Sequence, residues 1–300
     1  MDGYGFEGRV AVVTGAGRGI GRAYAELLAA RGARVVVNDL GGAMSGGGAD
    51  AGPAAEVVDE IAAAGGVALA DAHDVSSEEG AAALIATAID QFGRVDALVN
   101  NAGIIRWAKF PEADAENVDQ HLAVHLRGSF HTSRAAWPHF VEQGYGRIVN
   151  TTSSGMFGLP NNVGYATAKA AVVGLTRSLA TAGMEHGIRC NLVAPAAYTR
   201  MAGVVDEDSP MATTMAPELV APMVAFLTHE DCPVTGEIYA AGAGRFARIF
   251  IAQAQGWVDT DGTPTVEDVA AHWDEINDES NHTVPADLVG WSAYFLSHLS

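Results

Sequence analysis

The sequence has 300 residues, of which 49% are hydrophobic and 18% charged, which suits one large α/β domain or two small ones. Its formal net charge of −19 argues against nucleic acid or an anionic membrane surface as a partner. Cys190 and Cys232 are the only cysteines, so we expect a reducing compartment. Met1–Glu7 has no basic and apolar export signal, and no run of about 18 apolar residues occurs, so the sequence predicts a cytoplasmic protein with no membrane partner.

A glycine-rich turn, Thr14–Gly21, lies between the first apolar run, Val10–Val13, and a helical stretch, Arg22–Ala30. Glycines in such a turn let the backbone approach a pyrophosphate at the helix N-terminus. The next strand, Arg34–Asn38, ends at Asp39, and an acidic residue about 20 residues past the turn is the expected partner of a ribose hydroxyl. The pattern predicts a nucleotide site, with an ordinary loop acid as the alternative for Asp39.

Short Val-rich runs alternate with helical patterns along the chain, which predicts an α/β fold: a doubly wound, parallel, seven-stranded Rossmann sheet with helices on both faces. The strands are expected at Val10–Val13, Val35–Val37, Val67–Ala70, Ala97–Val99, Ile148–Asn150, Ile188–Val193 and Glu237–Ala240. Further helices are expected at Glu56–Ala64, Glu78–Phe92, Ala115–Gln143, Tyr165–Glu185 and Pro217–His229.

Two segments interrupt this alternation. The Gly/Ala-rich insertion Gly41–Pro53 follows the second strand and is too polar and flexible to be core. After Gly244 the chain adds a tail, with helices expected near Phe246–Gln255 and Thr265–Ile276. We therefore expect a nucleotide-binding domain at residues 1–244 and a C-terminal extension at 245–300, packed on the same domain or on a partner subunit.

Tyr165 and Lys169 are four residues apart, so on a helix they share one face. A free tyrosine has a pKa of about 10, and a fixed positive charge beside it favours the phenolate and lowers that pKa. A tyrosine tuned in this way is a usable general acid or base. The alternative is a chance pair on a solvated helix, and the presence of the upstream glycine-rich turn argues against this interpretation.

These motifs resemble the short-chain dehydrogenase/reductase family over about residues 8–244. The resemblance is carried by Thr14–Gly21, Asp74-Val75, Asn100–Gly103, and Tyr165 with Lys169. Other stretches are similar to the family branch that contains the (3R)-hydroxyacyl-CoA dehydrogenases of multifunctional β-oxidation proteins. These stretches are Asn38–Gly42, Val124–Phe130, Ala135–Trp137, Ala194–Ala196, Arg200-Met201 and His272-Trp273.

The resemblance implies an NAD-dependent enzyme that oxidises a secondary alcohol. The residues that it implies for NAD binding are Gly15, Arg18, Gly19, Ile20, Gly21, Asp39, Asp74, Val75, Asn101, Ala102, Gly103, Tyr165, Lys169, Pro195 and Thr199. The residues that it implies for catalysis are Ser153, Tyr165, Lys169 and His125. In this scheme Tyr165 exchanges the proton with the substrate oxygen, and Lys169 holds the nicotinamide ribose and lowers the tyrosine pKa.

The sequence departs from the family pattern at two catalytic positions. Counting forward from Asn150 places the carbonyl-polarising hydroxyl at Ser153, whereas the usual interval back from Tyr165 places it at Thr152; we favour Ser153. His125 occupies the position of the helix asparagine that anchors a proton-relay water, and its backbone carbonyl is expected to carry the same relay.

The spacing of His121 and His125 is also compatible with a metal ion, because two histidines at i and i+4 can share one. No glutamate lies between them and no third ligand is evident, so we predict that no metal is bound.

Three functions compete. The first is oxidation of (3R)-3-hydroxyacyl-CoA to 3-ketoacyl-CoA, the second is oxidation of steroid or terpenoid alcohols by the same residues, and the third is nucleotide sensing without catalysis. The Tyr165/Lys169 pair argues against the third, and the resemblance favours the first. We expect a preference for NAD over NADP, because Asp39 repels a 2′-phosphate more strongly than Arg18 attracts it.

We also expect a homodimer or homotetramer. The predicted helix Tyr165–Glu185 is apolar on more than one stripe, whereas a helix that lies on one face of a sheet needs only one. A two-fold partner supplies a second buried face, and the helix Ala115–Gln143 is expected to share it. The alternative is that the C-terminal tail covers the helix.

Overall fold

The computed structural model describes residues 3–202, 206, 208–260 and 262–299. Its centre is an eight-stranded sheet with the strand order β3-β2-β1-β4-β5-β6-β7-β8. The strands are β1 (Val10–Thr14), β2 (Arg34–Asn38), β3 (Val67–Asp71), β4 (Ala97–Asn100), β5 (Gly146–Thr151), β6 (Ile188–Pro195), β7 (Ile238–Gly242) and β8 (Arg245–Ile249). All neighbouring pairs from β3 to β7 are parallel, so the predicted doubly wound sheet is confirmed.

The eighth strand corrects the predicted count of seven, and it replaces the helix expected near Phe246–Gln255. A two-residue turn, Ala243-Gly244, joins β7 to β8, and both of its residues have positive φ angles of 50° and 73°. Such a turn connects antiparallel strands. Gly244 adopts this conformation without strain, so the chain reverses instead of entering a helix.

Helices cover both faces of the sheet. The helices of residues 1–248 are α1 (Gly19–Ala30), α2 (Gly52–Ala63), α3 (Glu78–Phe92), α4 (Ala115–His121), α5 (Gly128–Gln143), α6 (Val163–Gly183), α7 (Pro210–Thr214) and α8 (Ala221–Thr228). Successive strand residues point to opposite faces. Val13 and Val35 therefore pack on one core with Leu28 of α1, and Val12 packs on the other core with Phe140 of α5.

The predicted helix Ala115–Gln143 is not continuous. A π-helical segment, Leu122–Arg127, separates α4 from α5, and it contains the buried residue His125. Such segments are rare and occur frequently at functional sites.

One stretch of the described residues, Pro210–Thr228, is long and apolar enough by composition to resemble a membrane span. In the structure it is divided into α7, a short 3₁₀ turn at Pro217–Leu219, and α8, and a proline lies at or near the start of each part. The apolar residues of this stretch therefore belong to separate short helices, of which α8 packs against the sheet core.

The strand order places the functional loops. It reverses between β1 and its neighbour β4, and ligands of open α/β sheets bind in the crevice at the carboxyl ends of the strands on either side of that reversal. The glycine-rich turn, Asp39 and Asn101 follow β1, β2 and β4 at this edge, and Ser153 follows β5.

The chain divides into two compact units, residues 1–248 and 249–300. The second contains an antiparallel pair, β9 (Gln253–Ala254) and β10 (His282–Thr283), and the helices α9 (Val266–Ala271), α10 (Trp273–Ile276) and α11 (Leu288–Phe295). The helix predicted at Thr265–Ile276 corresponds to α9 and α10. None of the described residues of 249–300 is buried, so this unit has no core of its own. The expected packing of the extension on the first unit or on a partner stays a prediction.

Candidate active site

The glycine-rich turn fits closely against the segment after β4. Gly15 has a φ of +62°, and a Cβ atom on it would lie 2.8 Å from the Cα of Ala102. A Cβ atom on Gly21 would lie 2.2 Å from the carbonyl oxygen of Gly15. Side chains at these two positions would push the turn away from β4, which explains why both are glycine.

Hydrogen bonds fix the same contact. The hydroxyl of Thr14 accepts from the backbone N–H groups of Asn101 and Ala102, both at 3.0 Å. The side-chain amide of Asn101 donates to the carbonyl oxygens of Thr14 at 3.1 Å and Gly15 at 3.0 Å. Asn101 therefore holds the turn in place from the end of the neighbouring strand.

Asp39 holds the other side of the turn. Its Oδ2 accepts from the N–H of Gly17 at 2.8 Å, and its Oδ1 accepts from the N–H of Gly41 at 2.7 Å. Each carboxylate oxygen has a second lone pair, so Asp39 retains acceptor capacity for a ribose hydroxyl. Arg200 and Arg18 lie near this carboxylate, and burial together with Arg18 lowers the pKa of Arg200 while Asp39 opposes that shift.

A cleft of about 720 Å³ opens above these loops. All the predicted nucleotide contacts line it except Tyr165, Lys169 and Pro195. The lining residues among those predicted are Gly15, Arg18, Gly19, Ile20, Gly21, Asp39, Asp74, Val75, Asn101, Ala102, Gly103 and Thr199. The structure thus brings five of the predicted nucleotide segments together at one edge of the sheet.

The insertion Gly41–Pro53 also contributes to this cleft, which the sequence analysis did not predict. Met44 and Gly46 line it, and the carbonyl of Met44 accepts from the N–H of Ile105 at 2.9 Å. The insertion therefore reaches from the end of β2 to the segment after β4. In the sequence, the signal for this contribution was the position of the insertion directly after the strand that ends at Asp39.

The cleft fits a dinucleotide. Helix α1 begins at Gly19 without a side-chain cap, so its first N–H groups and the positive end of its dipole remain for an anion such as a pyrophosphate. Met201, Ala212 and Ala216 line the same cleft from the segment 201–216, in which residues 203–205 and 207 lie outside the described residues.

Tyr165 and Lys169 lie one turn apart on α6, as predicted. Lys169 is buried, its Nζ donates to the carbonyl of Thr151 at 2.7 Å, and it lies 5.7 Å from the ring centre of Tyr165. Burial lowers the pKa of Lys169 to about 7. Burial also raises the pKa of Tyr165, and a hydrogen bond with Ser153 opposes that rise.

The net shift of the Tyr165 pKa is therefore upward, whereas the sequence analysis expected Lys169 to lower it. Lys169 is buried and Tyr165 is partly buried, and desolvation disfavours the charged form of each. A lysine whose pKa is about 7 carries only part of its charge at neutral pH, so it stabilises a phenolate less than a fully charged ammonium at the same place would.

The structure separates the two candidate hydroxyls. Ser153 is partly exposed, contacts Tyr165, and accepts from the N–H of Gly155 at 3.0 Å. Thr152 is buried, and its hydroxyl donates to the carbonyl of Lys169 at 2.7 Å. Ser153 is therefore the hydroxyl that a substrate at Tyr165 can reach, whereas Thr152 supports the backbone of α6.

His125 is buried beside Tyr165, with the two rings edge to face and their centres 5.4 Å apart. Its Nε2 lies 2.8 Å from the carbonyl of Ile104, so Nε2 carries the proton, and its buried Nδ1 has no hydrogen-bond partner among the described residues. Burial, with a contribution from Lys169, holds the pKa of His125 well below its usual range. The ring is a neutral imidazole with an available lone pair.

The backbone carbonyl of His125, which was expected to carry the relay, already accepts from the hydroxyl of Ser129 at 2.7 Å. His121 stacks on His125 with the ring centres 6.0 Å apart. Its Nδ1 bonds the carbonyl of Asn117 at 2.7 Å, and its Nε2 accepts from the N–H of Arg106 at 3.2 Å. Both nitrogens of His121 are therefore used within the protein.

The burial of Lys169 predicts a pH-dependent stability. The pKa of Lys169 falls from 10.5, its ordinary value, to about 7 in the folded protein, so the unfolded chain binds more protons between these values. The cost of burying the ammonium is full below about pH 7 and disappears as the pH rises through that window. We expect Lys169→Met to stabilise the nucleotide-free protein by a few kcal/mol at about pH 6.

Urea unfolding of wild type and variant at about pH 6 and about pH 9.5 measures this effect, and the gain should shrink at the higher pH. Loss of the bond to Thr151, worth about 1 kcal/mol, lowers the gain equally at both pH values. Lys109→Met is the control, because Lys109 is exposed. A Lys169→Met effect that is independent of pH would contradict the account.

Comparison with known proteins agrees with this geometry. The sequence profile described as short chain dehydrogenase matches residues 9–210. The chain is 47% identical over 277 residues to a putative short-chain type dehydrogenase/reductase of Mycobacterium tuberculosis, covering 92% of this chain and 96% of that one. It is 35% identical over 291 residues to the hydroxyacyl-CoA dehydrogenase ChsB1 of the same organism, covering 88% and 89% of the two chains.

Among solved structures, the chain is similar to the full-length peroxisomal multifunctional enzyme type 2 of Drosophila melanogaster, with a TM-score of 0.81 and 34% identity. The match covers 98% of this chain and 50% of that enzyme, so this chain spans half the length of the enzyme. The profile covers more than half of the chain. The Mycobacterium tuberculosis dehydrogenase/reductase, which matches this chain over nearly its full length, is identical to it at almost half of the aligned positions. The protein therefore belongs to the short-chain dehydrogenase/reductase family and is an oxidoreductase.

Proposed function

We propose that this enzyme oxidises (3R)-3-hydroxyacyl-CoA to 3-ketoacyl-CoA with NAD. The observation that carries the proposal is the arrangement of Ser153 against Tyr165, with Lys169 one turn along α6. The acyl-CoA class is supported by the name of the hydroxyacyl-CoA dehydrogenase relative and by the likeness to the multifunctional enzyme. The (3R) configuration rests on the sequence resemblance.

The reaction removes a hydride and a proton from a secondary alcohol and leaves a ketone. NAD held by the glycine-rich turn and Asp39 would supply the acceptor for the hydride that leaves the carbon carrying the hydroxyl. Tyr165 Oη accepts the hydroxyl proton, and Ser153 donates a hydrogen bond to the oxygen that becomes the ketone. The opposite enantiomer would exchange the positions of the hydrogen and a carbon substituent, so two fixed acceptors give stereoselectivity.

Burial of Tyr165 affects the direction of the reaction. Because its pKa is raised, the phenol is protonated at neutral pH, and this is the form that gives a proton to a ketone. Oxidation requires the phenolate, so its rate should rise with pH. Lys169 supports the phenolate when it is charged, and it lies at the carboxyl end of β5 beside Thr151.

We propose that His125 serves proton transfer through its side chain. Its carbonyl is already bonded to Ser129, whereas Nδ1 is a buried acceptor with no partner among the described residues. A buried polar atom of this kind is normally satisfied, commonly by an ordered water. Nδ1 is therefore the atom through which the imidazole would take part in the transfer.

NAD is the proposed cofactor in preference to NADP. The carboxylate of Asp39 lies at the end of β2, where it faces the ribose of a nucleotide bound at the α1 N-terminus. Arg18 and Arg200 lie close to it and attract a 2′-phosphate, which is the opposing effect. Asp39 accepts one backbone hydrogen bond from the turn, at Gly17, and one from Gly41, so it is the less movable group.

The cytoplasm is the proposed compartment. The two cysteines, Cys190 and Cys232, are free thiols in the structure and both are buried. Burial raises the pKa of Cys190 to about 12, so this thiol is not a reactive thiolate at neutral pH. Two unpaired, buried thiols are compatible with a reducing compartment.

A spectrophotometric screen of NADH formation tests the function. We expect activity with (3R)-3-hydroxyacyl-CoA and NAD, at least about tenfold less with NADP, and none with the (3S) epimer. Steroid and terpenoid alcohols are assayed in parallel. Turnover of those alcohols without turnover of either acyl-CoA epimer would establish the alternative substrate class, and NADH binding without any turnover would establish a nucleotide sensor.

Substitution of the catalytic residues tests their roles. Tyr165→Phe should lower kcat at least about 100-fold while NADH binding, followed by fluorescence, stays within about twofold, because only the transferable proton is lost. Ser153→Ala should lower kcat comparably. Thr152→Val is the matched control and should keep at least about a third of the activity, since its hydroxyl bonds the backbone of α6. Equal losses for Ser153→Ala and Thr152→Val would refute the assignment.

In the same series, His125→Phe keeps an aromatic ring at this position and removes both ring nitrogens. We expect a smaller loss of kcat, about tenfold, with a shift of the pH profile for oxidation. A loss that is the same at every pH would show that His125 has a packing role only.

We further propose that the enzyme is a homodimer or a homotetramer built on α5 and α6. Phe130 and Val141 on α5 are exposed. On α6, Ala170 and Gly174 lie on the exposed face, and a Cβ on Gly174 would meet no atom within 4 Å. A face of small and apolar residues allows two helices to approach each other closely and is self-complementary about a two-fold axis.

The substitution Gly174→Arg tests this interface. Its side chain enters open space in a single chain, so a monomer should tolerate it, whereas a symmetric interface would meet two opposed arginines. We expect wild type to be a dimer or tetramer by light scattering at micromolar concentration and the variant to dissociate. Gly3→Arg is the control, because a Cβ on Gly3 also meets no atom within 4 Å. A monomeric, fully active wild type would refute the proposal.

A further inference from the structure

Large aromatic side chains are exposed on two segments beside Tyr165. Trp107 is 58% exposed and Phe110 is 77% exposed on the segment after β4, and Phe157 is 72% exposed after β5. Isolated exposed apolar residues are common, but aromatic residues grouped around a reaction centre indicate a surface that a ligand or partner covers.

The segment that carries Trp107 is fixed to the catalytic helix. Ala108 forms a β-bridge with Asn162, and the side chain of Asn162 accepts from the N–H of Tyr165 at 3.2 Å. On the other side, the N–H of Arg106 donates to His121, whose ring meets the edge of Tyr165 with the centres 6.1 Å apart. Trp107 therefore lies between two anchors, each of which contacts Tyr165.

Phe157 is fixed to the same tyrosine through a different segment. It ends the 3₁₀ turn Ser154–Phe157, which Ser153 caps through the N–H of Gly155. A Cβ on Gly155 would lie 3.3 Å from the ring of Tyr165, so the turn packs directly on the phenol. Phe157 follows this contact by two residues and extends into solvent.

The exposed aromatic residues lie outside the nucleotide cleft. Its lining residues include neither Ser153, Tyr165, Trp107 nor Phe157. When the substrate hydroxyl lies at Tyr165, the part of the substrate that must face the cleft is the carbon that loses its hydride. The exposed aromatic residues beside Tyr165 offer an apolar surface to another substituent of the same carbon.

From this arrangement we infer that Trp107 and Phe157 form the subsite for the apolar acyl chain and set the preference for chain length. The inference rests on the proposed acyl-CoA substrate and extends it. The chain lies on the two aromatic faces and covers surface that is otherwise in water. Each buried methylene contributes on the order of 0.8 kcal/mol, about a fourfold change in kcat/KM.

The test compares kcat/KM for (3R)-3-hydroxyacyl-CoA substrates of four and twelve carbons. The CoA part is the same in both, so a difference reports only the acyl chain. We expect Trp107→Ala and Phe157→Ala each to lower kcat/KM at least about tenfold for the twelve-carbon substrate and less than about twofold for the four-carbon one. Trp107→Phe should retain most of the long-chain activity.

Tyr4→Ala is the control, since Tyr4 is a half-exposed aromatic residue that packs on Phe226 and His229, away from the site. Equal losses at both chain lengths, or no loss, would overturn the inference. Dissociation of the oligomer without a chain-length effect would also overturn it, because the surface would then be a subunit interface. If wild type oxidises no acyl-CoA, the proposed function itself fails before any variant is compared.

Discussion

The burial of the Lys169 ammonium is the constraint on which the rest of the site depends. A buried charge is costly unless it is paired or neutralised, and here the ammonium donates to a neutral acceptor, the carbonyl of Thr151. The protein meets the cost partly by lowering the pKa of Lys169 to about 7. The same dry environment raises the pKa of Tyr165 and, by lowering the pKa of His125, keeps that ring neutral. All three groups therefore titrate in ways that their sequence positions do not reveal.

Such a site requires a rigid support. Beneath it, the amide of Asn100 donates to Asn150 at 2.9 Å, and the amide of Asn150 donates to the hydroxyl of Thr176 at 2.8 Å. The hydroxyl of Thr132 donates to the other side of Asn100 at 2.7 Å. This buried network joins β4, β5, α5 and α6, and a satisfied network of this kind specifies one arrangement of the elements that carry the site. Thr152 adds a bond from the end of β5 to the backbone of α6.

Local patterns predicted which segments meet at the cleft, because glycine turns and strand ends follow short-range rules. Asp39 and Asn101 lie where the strand order requires them. Features that depend on tertiary environment could not be predicted in this way. The π-helical segment around His125, the contribution of the insertion Gly41–Pro53 to the cleft, and the raised pKa of Tyr165 all depend on which groups become buried together. The choice between Ser153 and Thr152 needed the direction of each side chain, which spacing alone left open.

The state of Lys169 can be measured directly, because the chain has only two lysines, Lys109 and Lys169. Selective isotope labelling of lysine gives two side-chain NMR signals, and the variant Lys109→Arg leaves the signal of Lys169 alone. The account predicts that this signal titrates with a midpoint near pH 7 in the nucleotide-free protein, the pKa that burial gives Lys169. A midpoint near 10.5, the pKa of a solvated lysine, would show that the ammonium is not desolvated and would contradict the account.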